Sequence, residues 1–161
     1  YLLLRGGISP IWDLARRDLF LIVAGLLGYL AASSALRLRT GRFMFLGVVS
    51  LLILGNATVA FYQWQVDSSF AFLRSARGDT QGVSGFYFHR NYLAGFFEIA
   101  CPLLLAAVLG QKLWLARLSL AVPLVLGVGC SLLTNSRGGF GALVSACLVV
   151  IILWKLRERN P

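Results

Sequence analysis

Five long apolar blocks, almost free of charged residues, dominate this sequence. They span residues 19–36, 43–66, 91–111, 118–136 and 138–154, and Glu98 is the one charged residue inside them. At about 1.5 Å per residue, a helix of such length crosses a hydrocarbon core about 30 Å thick. Only helices or closed barrels satisfy backbone hydrogen bonds in lipid, and unbroken apolar runs favour helices. We therefore expect an all-α, polytopic transmembrane helix bundle, with one domain over residues 1–161 and about five spanning helices.

The composition agrees with a membrane protein and excludes several other classes. Hydrophobic residues make up 58% of the chain and charged residues 13%. A formal charge of +9 would suggest a nucleic-acid partner in a soluble protein, but most basic residues lie in short segments between the apolar blocks, where they set membrane orientation. Three cysteines within apolar blocks and one histidine support neither a disulfide framework nor a metal site. We expect membrane lipids as partners, with no nucleic acid, metal or cofactor.

The connections between the blocks predict the orientation. If each block crosses once, the three basic connections fall on one side, which the positive-inside rule makes cytoplasmic. The outward loop, residues 67–90, and the turn at Ser136-Arg137-Gly138 then share the opposite face. The basic residues of the cytoplasmic side are Arg37, Arg39, Arg42, Lys112, Arg117, Lys155, Arg157 and Arg159. Because the chain begins at Tyr1 and ends in a basic segment, we expect it to be a piece of a longer polypeptide.

Arg137 interrupts what would otherwise be one apolar run from Leu118 to Trp154. A charge at the centre of a spanning helix costs roughly 2.5–3.5 kcal/mol on insertion scales. Two interpretations remain open. Arg137 lies in a tight turn with Gly138 and Gly139 and extends to the headgroups, or its guanidinium, beside the polar cluster Thr134-Asn135-Ser136, binds a phosphate or pyrophosphate in bidentate fashion.

A second polar group lies where the third block begins. Asn91 is expected to cap this helix, with Arg90 extending to the headgroups. Glu98 follows Asn91 by seven residues on the same helix face, about 10 Å inside the outer boundary. An acid at that depth faces the protein interior or a cavity and is protonated or paired, with Arg90 and Arg137 as available cations. A structural ion pair and a role in substrate or proton handling both remain open.

The long connection from Gln63 to Arg90 carries polar residues that indicate a hydrated loop, among them Gln63 itself. Its stretch Gly78-Asp79-Thr80-Gln81-Gly82 is expected to be flexible. Asn56-Ala57-Thr58 matches a glycosylation sequon but lies inside a spanning block, so we discard it.

Three motifs in the same order resemble the O-antigen ligase and polymerase superfamily of bacterial envelope proteins. Tyr62-Gln63 closes a spanning helix before the outward loop. The stretch from Gly85 to Gly95 is similar to the family's Gly-Thr-Phe-x-Asn-Arg-Asn-x-x-Ala, with His89 where Asn is common. Leu132 to Gly139 contains a form of Thr-x-Ser-Arg-Gly, which is the more specific motif.

The resemblance implies a metal-independent membrane glycosyltransferase of the bacterial inner membrane that serves lipopolysaccharide biosynthesis. Such proteins move glycan from undecaprenyl pyrophosphate to a lipid A core or to another glycan at the periplasmic face. By its place in the Ser-Arg-Gly motif, Arg137 becomes the catalytic residue that binds the donor pyrophosphate. Arg90, Asn91, Ser136 and Glu98 complete a substrate-binding set, in which Arg90 is a supporting cation. The family's later loop, with a further arginine and a histidine, has no counterpart in this chain, so we expect the fragment alone to be inactive.

Two other functions stay open at this point. A bicarbonate-uptake-like transporter would suit Glu98, since an acid within a helix can serve an ion path. A non-catalytic membrane module would use the outward arginines only for anionic headgroups.

Overall fold

The computed structural model describes residue 23 and residues 26–30, 33–34, 36–71 and 81–159. Over these residues the chain is helical, without strands, which confirms the all-α class. The four long helices are α1 (Arg39–Gln65), α2 (Arg90–Gly110), α3 (Trp114–Leu133) and α4 (Arg137–Arg159). The block 19–36 falls largely outside the described ranges, although residues 26–30 and 33–34 within it are helical. Residues 72–80 of the outward loop also lie outside them.

All four helices are long and apolar enough to cross a membrane, as expected of a multi-pass protein. Their ends differ from the predicted blocks because charged residues continue the helices. α4 extends to Arg159 instead of residue 154, and its last turn carries Arg157 and Arg159, where cations interact favourably with the helix dipole. α3 begins at Trp114 and thus includes Arg117, which was predicted to lie in the connection.

The contacts group the chain into two compact units, Tyr1–Phe45 and Leu46–Pro161. In the second unit, α2 is the central helix and packs against both α3 and α4, whereas α3 and α4 touch little. One stripe of α2 is fully buried and consists of Leu93, Phe97, Cys101 and Leu104. Lipid solvates apolar groups as well as the protein does, so close packing of this stripe has to supply the stability.

Glycines allow the helices to approach. A Cβ atom on Gly127 of α3 would lie 2.8 Å from Cys101 Sγ and 3.3 Å from Ile53 Cγ2, so three helices meet at this position. A Cβ atom on Gly139 of α4 would lie 2.6 Å from Ala94 Cβ of α2. Small residues at such crossings are a common feature of helix packing in membranes.

The connections divide between the two ends of this unit. The backbone N–H of Val83 donates to the carbonyl of Leu133 at 3.1 Å, which joins the loop before α2 to the turn before α4. We call this the loop end, formed by residues 63–71, 81–89 and 134–136. The connection between α2 and α3, with Lys112, lies at the opposite end, as does the basic end of α4.

Replacing Gly127 by Ala should destabilise the bundle by about 1–3 kcal/mol, because the new methyl group overpacks the crossing with Cys101 and Ile53. Gly129→Ala is the matched control, since a Cβ atom there meets nothing within 4 Å. The measurement is the apparent melting temperature of the detergent-solubilised protein. It is read from the fraction that remains monodisperse in size-exclusion chromatography after heating. Equal melting temperatures for the two variants would contradict the packing assigned to Gly127.

Candidate functional site

The turn between α3 and α4 is built from the polar motif noted in the sequence. Thr134 ends α3 in helical conformation, and Asn135 follows with φ 55°. Asn is one of the few residues that adopt this left-handed conformation readily, and it closes helices in this way. The Asn135 N–H donates to the Leu132 carbonyl at 3.1 Å, as the left-handed helix end requires.

The last carbonyl groups of α3, which have no partner within the helix, find acceptable donors around this turn. The hydroxyl of Thr134, itself fully buried, donates to the Ser131 carbonyl at 2.7 Å. The Leu133 carbonyl accepts from Val83 of the loop. The C-terminus of α3 is therefore fixed by its own turn and by the loop.

Ser136 begins the next helix as its N-terminal cap. Its Oγ accepts from the Gly139 N–H at 3.4 Å, and its own N–H donates to Thr134 Oγ1 at 3.2 Å. The sequence predicts Ser136 at the end of the preceding helix and Arg137 in a turn. Both assignments are wrong, since α3 ends at Leu133 and Arg137 is the first residue of α4. The polar residues after Leu133 serve the caps and do not extend the helix.

Arg137 places a positive charge at the loop end. Its side chain is exposed and makes no hydrogen bond or ion pair with any residue that the structure describes. As the first two residues of α4, Arg137 and Gly138 also direct backbone N–H groups away from the helix, where no intrahelical acceptor exists. A guanidinium together with the N-terminus of a helix suits a phosphate group.

A buried side-chain amide of α1 holds the loop in place. Gln63 is 2% exposed. Its Oε1 accepts from the N–H groups of Ser84 and Gly85 at 2.8 and 2.9 Å. Its Nε2 donates to the carbonyls of Phe70 and Gly85 at 3.0 and 3.1 Å. Gln63 thus ties both sides of the loop to α1.

Asn56, two turns earlier on the same face of α1, holds the next residue of the loop, Phe86. It is 2% exposed, and its Oδ1 accepts from the Phe86 N–H at 3.0 Å. The prediction that Gln63 marks hydrated chain is therefore wrong, because the polar atoms of Gln63 pair with backbone groups inside the protein. The discarded position Asn56 has a structural role. The spacing of seven residues between two amides on an apolar helix would have indicated a shared buried face.

Two glycines let the loop approach its neighbours. Gly85 has φ 58°, and a Cβ atom there would lie 2.5 Å from Asn56 Oδ1. A Cβ atom on Gly82 would lie 2.3 Å from the carbonyl oxygen of Thr134. The stretch 78–82 was predicted to be flexible. Its described residues, Gln81 and Gly82, pack instead against the turn between α3 and α4.

Gln81 connects two of the outward elements. Arg90, the half-buried first residue of α2, donates from Nη2 to Gln81 Oε1 at 3.3 Å. Asn135 donates from Nδ2 to the Gln81 carbonyl, also at 3.3 Å. One residue of the loop therefore links the Arg90 guanidinium with the turn that precedes Arg137.

The expected capping role of Asn91 is wrong. The cap of α2 is His89, whose Nδ1 accepts from the Asn91 N–H at 3.2 Å. The Asn91 side chain is exposed and makes no hydrogen bond with the described residues. Asn91 therefore shares the loop end with the other candidates but is not joined to them by a contact.

The side chain of Glu98, a residue of α2, lies against the start of α4. A Cβ atom on Gly139 would lie 3.1 Å from both Glu98 Oε1 and Ser136 Oγ. The carboxyl group thus reaches the first turn of α4, where the helix dipole favours negative charge. Neither Arg90 nor Arg137 forms an ion pair with Glu98 within the described ranges. The structure brings Glu98 and Ser136 together around Gly139.

The exit of α1 forms a tight hydrogen-bonded turn. The hydroxyl and the N–H of Ser69 both donate to Asp67 Oδ1, at 2.6 and 2.8 Å. These bonds, the hydroxyl first, lower the pKa of the Asp67 carboxyl because they stabilise its ionised form.

A groove of about 360 Å³ opens at the loop end between α1, the loop and the end of α3. We call it the loop-end groove. Its walls include Trp64, Ser68, Gln81, Gly82, Leu132 and Asn135. Trp64 and Gln81 were not among the candidate residues of the sequence analysis, since a lone aromatic residue near a helix end is typical of any membrane interface.

No family model, curated protein or solved structure matches this chain. The resemblance to O-antigen ligases therefore rests on the three motifs quoted above.

Replacing Gln63 by Leu should release the loop, because the N–H groups of Ser84 and Gly85 lose their acceptor. A buried polar group left without a partner costs about 1–3 kcal/mol. Hydrogen exchange of residues 81–89 in nanodiscs should accelerate by about tenfold or more. Gln65→Leu, at the exposed end of the same helix, should leave the exchange unchanged. Equal protection in both variants would contradict the role of Gln63.

Proposed function

We propose that this chain is part of an O-antigen ligase-like membrane glycosyltransferase. In this proposal the whole enzyme moves glycan from undecaprenyl pyrophosphate to a lipid A core or glycan acceptor at the periplasmic face of the bacterial inner membrane. The observation that carries the proposal is the position of Arg137, an exposed arginine at the first residue of α4 beside unpaired backbone N–H groups.

The chemistry of glycan transfer calls for such a group. When the bond between sugar and pyrophosphate breaks, negative charge gathers on the leaving pyrophosphate. A guanidinium that contacts this charge stabilises the transition state more than the ground state. Its planar fork also matches two phosphate oxygens at once, which a lysine ammonium does not.

The remaining candidates support Arg137 in this proposal. Arg90 adds a second positive charge, and its bond to Gln81 holds it toward the same turn. Ser136 caps α4 and so fixes the helix end from which Arg137 extends. Glu98 acts as a positioning residue, because its carboxyl group lies against the first turn of α4. Asn91 is exposed at the start of α2. It contacts the glycan donor directly, without a bond to the other candidate residues.

Arg137→Lys and Arg137→Ala should each lower glycan transfer by about 100-fold or more, the usual cost of losing one donor to a developing negative charge. The measurement uses the full-length parent gene in cells that lack their own surface-glycan ligase, and it scores capped against uncapped lipopolysaccharide at matched membrane expression. Arg117→Lys is the control, because Arg117 contacts the Gln111 carbonyl at the opposite end of the bundle.

Equal capping by the wild type and both Arg137 variants would reduce Arg137 to a structural residue. Failure of the wild type to cap would overturn the ligase activity and make polymerisation of lipid-linked repeats the next activity to test.

A further inference from the structure

The walls of the loop-end groove combine one aromatic ring with several neutral polar groups. Trp64 is 56% exposed, so part of its indole ring is accessible to a ligand, and the ring also contacts that of Phe61 with 5.8 Å between centroids. Ser68, Gln81 and Asn135 supply a hydroxyl and two amides. Among the described residues that line the groove, none carries a charge.

This chemistry matches a sugar ring better than the other ligands that a membrane protein meets. A sugar presents hydroxyl groups at its edge, which pair with amides, and C–H groups on its face, which pack on an aromatic ring. A lipid tail would not satisfy the amides. The volume of about 360 Å³ lies at the small end of the range for ligand sites, about 300–1,000 Å³, which suits a small ligand.

Part of the hydrogen-bonding capacity of the groove is already in use, and that use fixes its shape. Asn135 holds the Gln81 carbonyl through Nδ2, which leaves its Oδ1 as an acceptor. Gly82 allows the loop to lie against Thr134, since a Cβ atom would clash there. The described walls at Gln81, Gly82 and Asn135 are therefore held in place before any ligand binds, which reduces the entropy lost on binding.

The groove adjoins the cationic groups. Asn135 precedes Arg137 by two residues, so their Cα atoms are at most about 7 Å apart. Gln81, on the same wall, also accepts from Arg90. A ligand in the groove thus lies next to the position that the proposed function gives to pyrophosphate.

We propose that the loop-end groove binds the sugar ring attached directly to the donor pyrophosphate, with Trp64 covering its face and Gln81 and Asn135 contacting its hydroxyl groups. This inference rests on the proposed function, because it takes the pyrophosphate to lie at Arg137. It makes Trp64 a residue that distinguishes a sugar-bearing donor from the bare lipid pyrophosphate.

The test compares dissociation constants for the full-length parent protein in nanodiscs. The probes are farnesyl pyrophosphate and its derivatives bearing glucose, galactose or N-acetylglucosamine on the terminal phosphate. The wild type should bind at least one sugar-bearing probe about 2–10-fold more tightly than farnesyl pyrophosphate, the ratio expected from one aromatic contact. Trp64→Ala should abolish this ratio and leave the affinity for farnesyl pyrophosphate unchanged, whereas Trp64→Phe should retain most of it.

Two further variants separate the two proposals. Trp114→Ala, at an exposed tryptophan that begins α3 at the other end of the bundle, should change nothing. Arg137→Lys should weaken binding of every probe and keep the sugar-dependent ratio.

If no sugar improves binding, or if Trp64→Ala weakens all probes equally, the groove does not bind the donor sugar, while an effect of Arg137→Lys would still support the proposed function. If Arg137→Lys changes no affinity, the pyrophosphate site is wrong and the inference about the groove falls with it.

Discussion

The loop end depends on the side-chain amide of Gln63. Both of its polar atoms lie inside the protein, and each pairs with two backbone groups of the segments that follow α1. A loop between spanning helices would otherwise leave such groups unpaired against apolar surface, at about 1–3 kcal/mol each. Because the backbone of Ser84 to Phe86 is paired to Gln63 and Asn56, Gly82 and Val83 are held against the end of α3.

The turn between α3 and α4 completes this arrangement. Val83 supplies the donor that the Leu133 carbonyl lacks, and Asn135 returns a bond to Gln81. Hydrogen bonds thus link α1 to α4 through the loop and the turn. The packing of α4 against α2 and the polar bonds that extend from Gln63 through residues 81–85 together position the helix end that carries Arg137.

The all-α class and the four long helices followed from the apolar blocks, because only helices and closed barrels satisfy the backbone in lipid and unbroken apolar runs favour helices. The helix ends did not follow, since Arg117 and Arg159 continue helices into the headgroup region where charge is tolerated. The polar motif at Thr134 to Arg137 was recognised but was assigned to the end of one helix. In the structure it caps both the end of α3 and the start of α4. Gln63 was misjudged because an amide pairs equally well with water or with backbone, and the sequence does not tell which partner it meets.

The candidate site contains side chains that are held by hydrogen bonds and an arginine that is not. Ser136, Thr134 and Asn135 have their side-chain bonds within the protein, whereas the Arg137 guanidinium has none within the described residues. If every group at the site were free, binding of a charged ligand would have to order all of them, and each immobilised side chain costs about 0.5–1.5 kcal/mol. Here the Arg137 and Asn91 side chains have to be ordered, and the helix ends that carry them are already fixed. A site of this kind carries its positive charge on a fixed helix end without burying it, and so avoids the desolvation cost that a buried arginine would impose before any anion arrives.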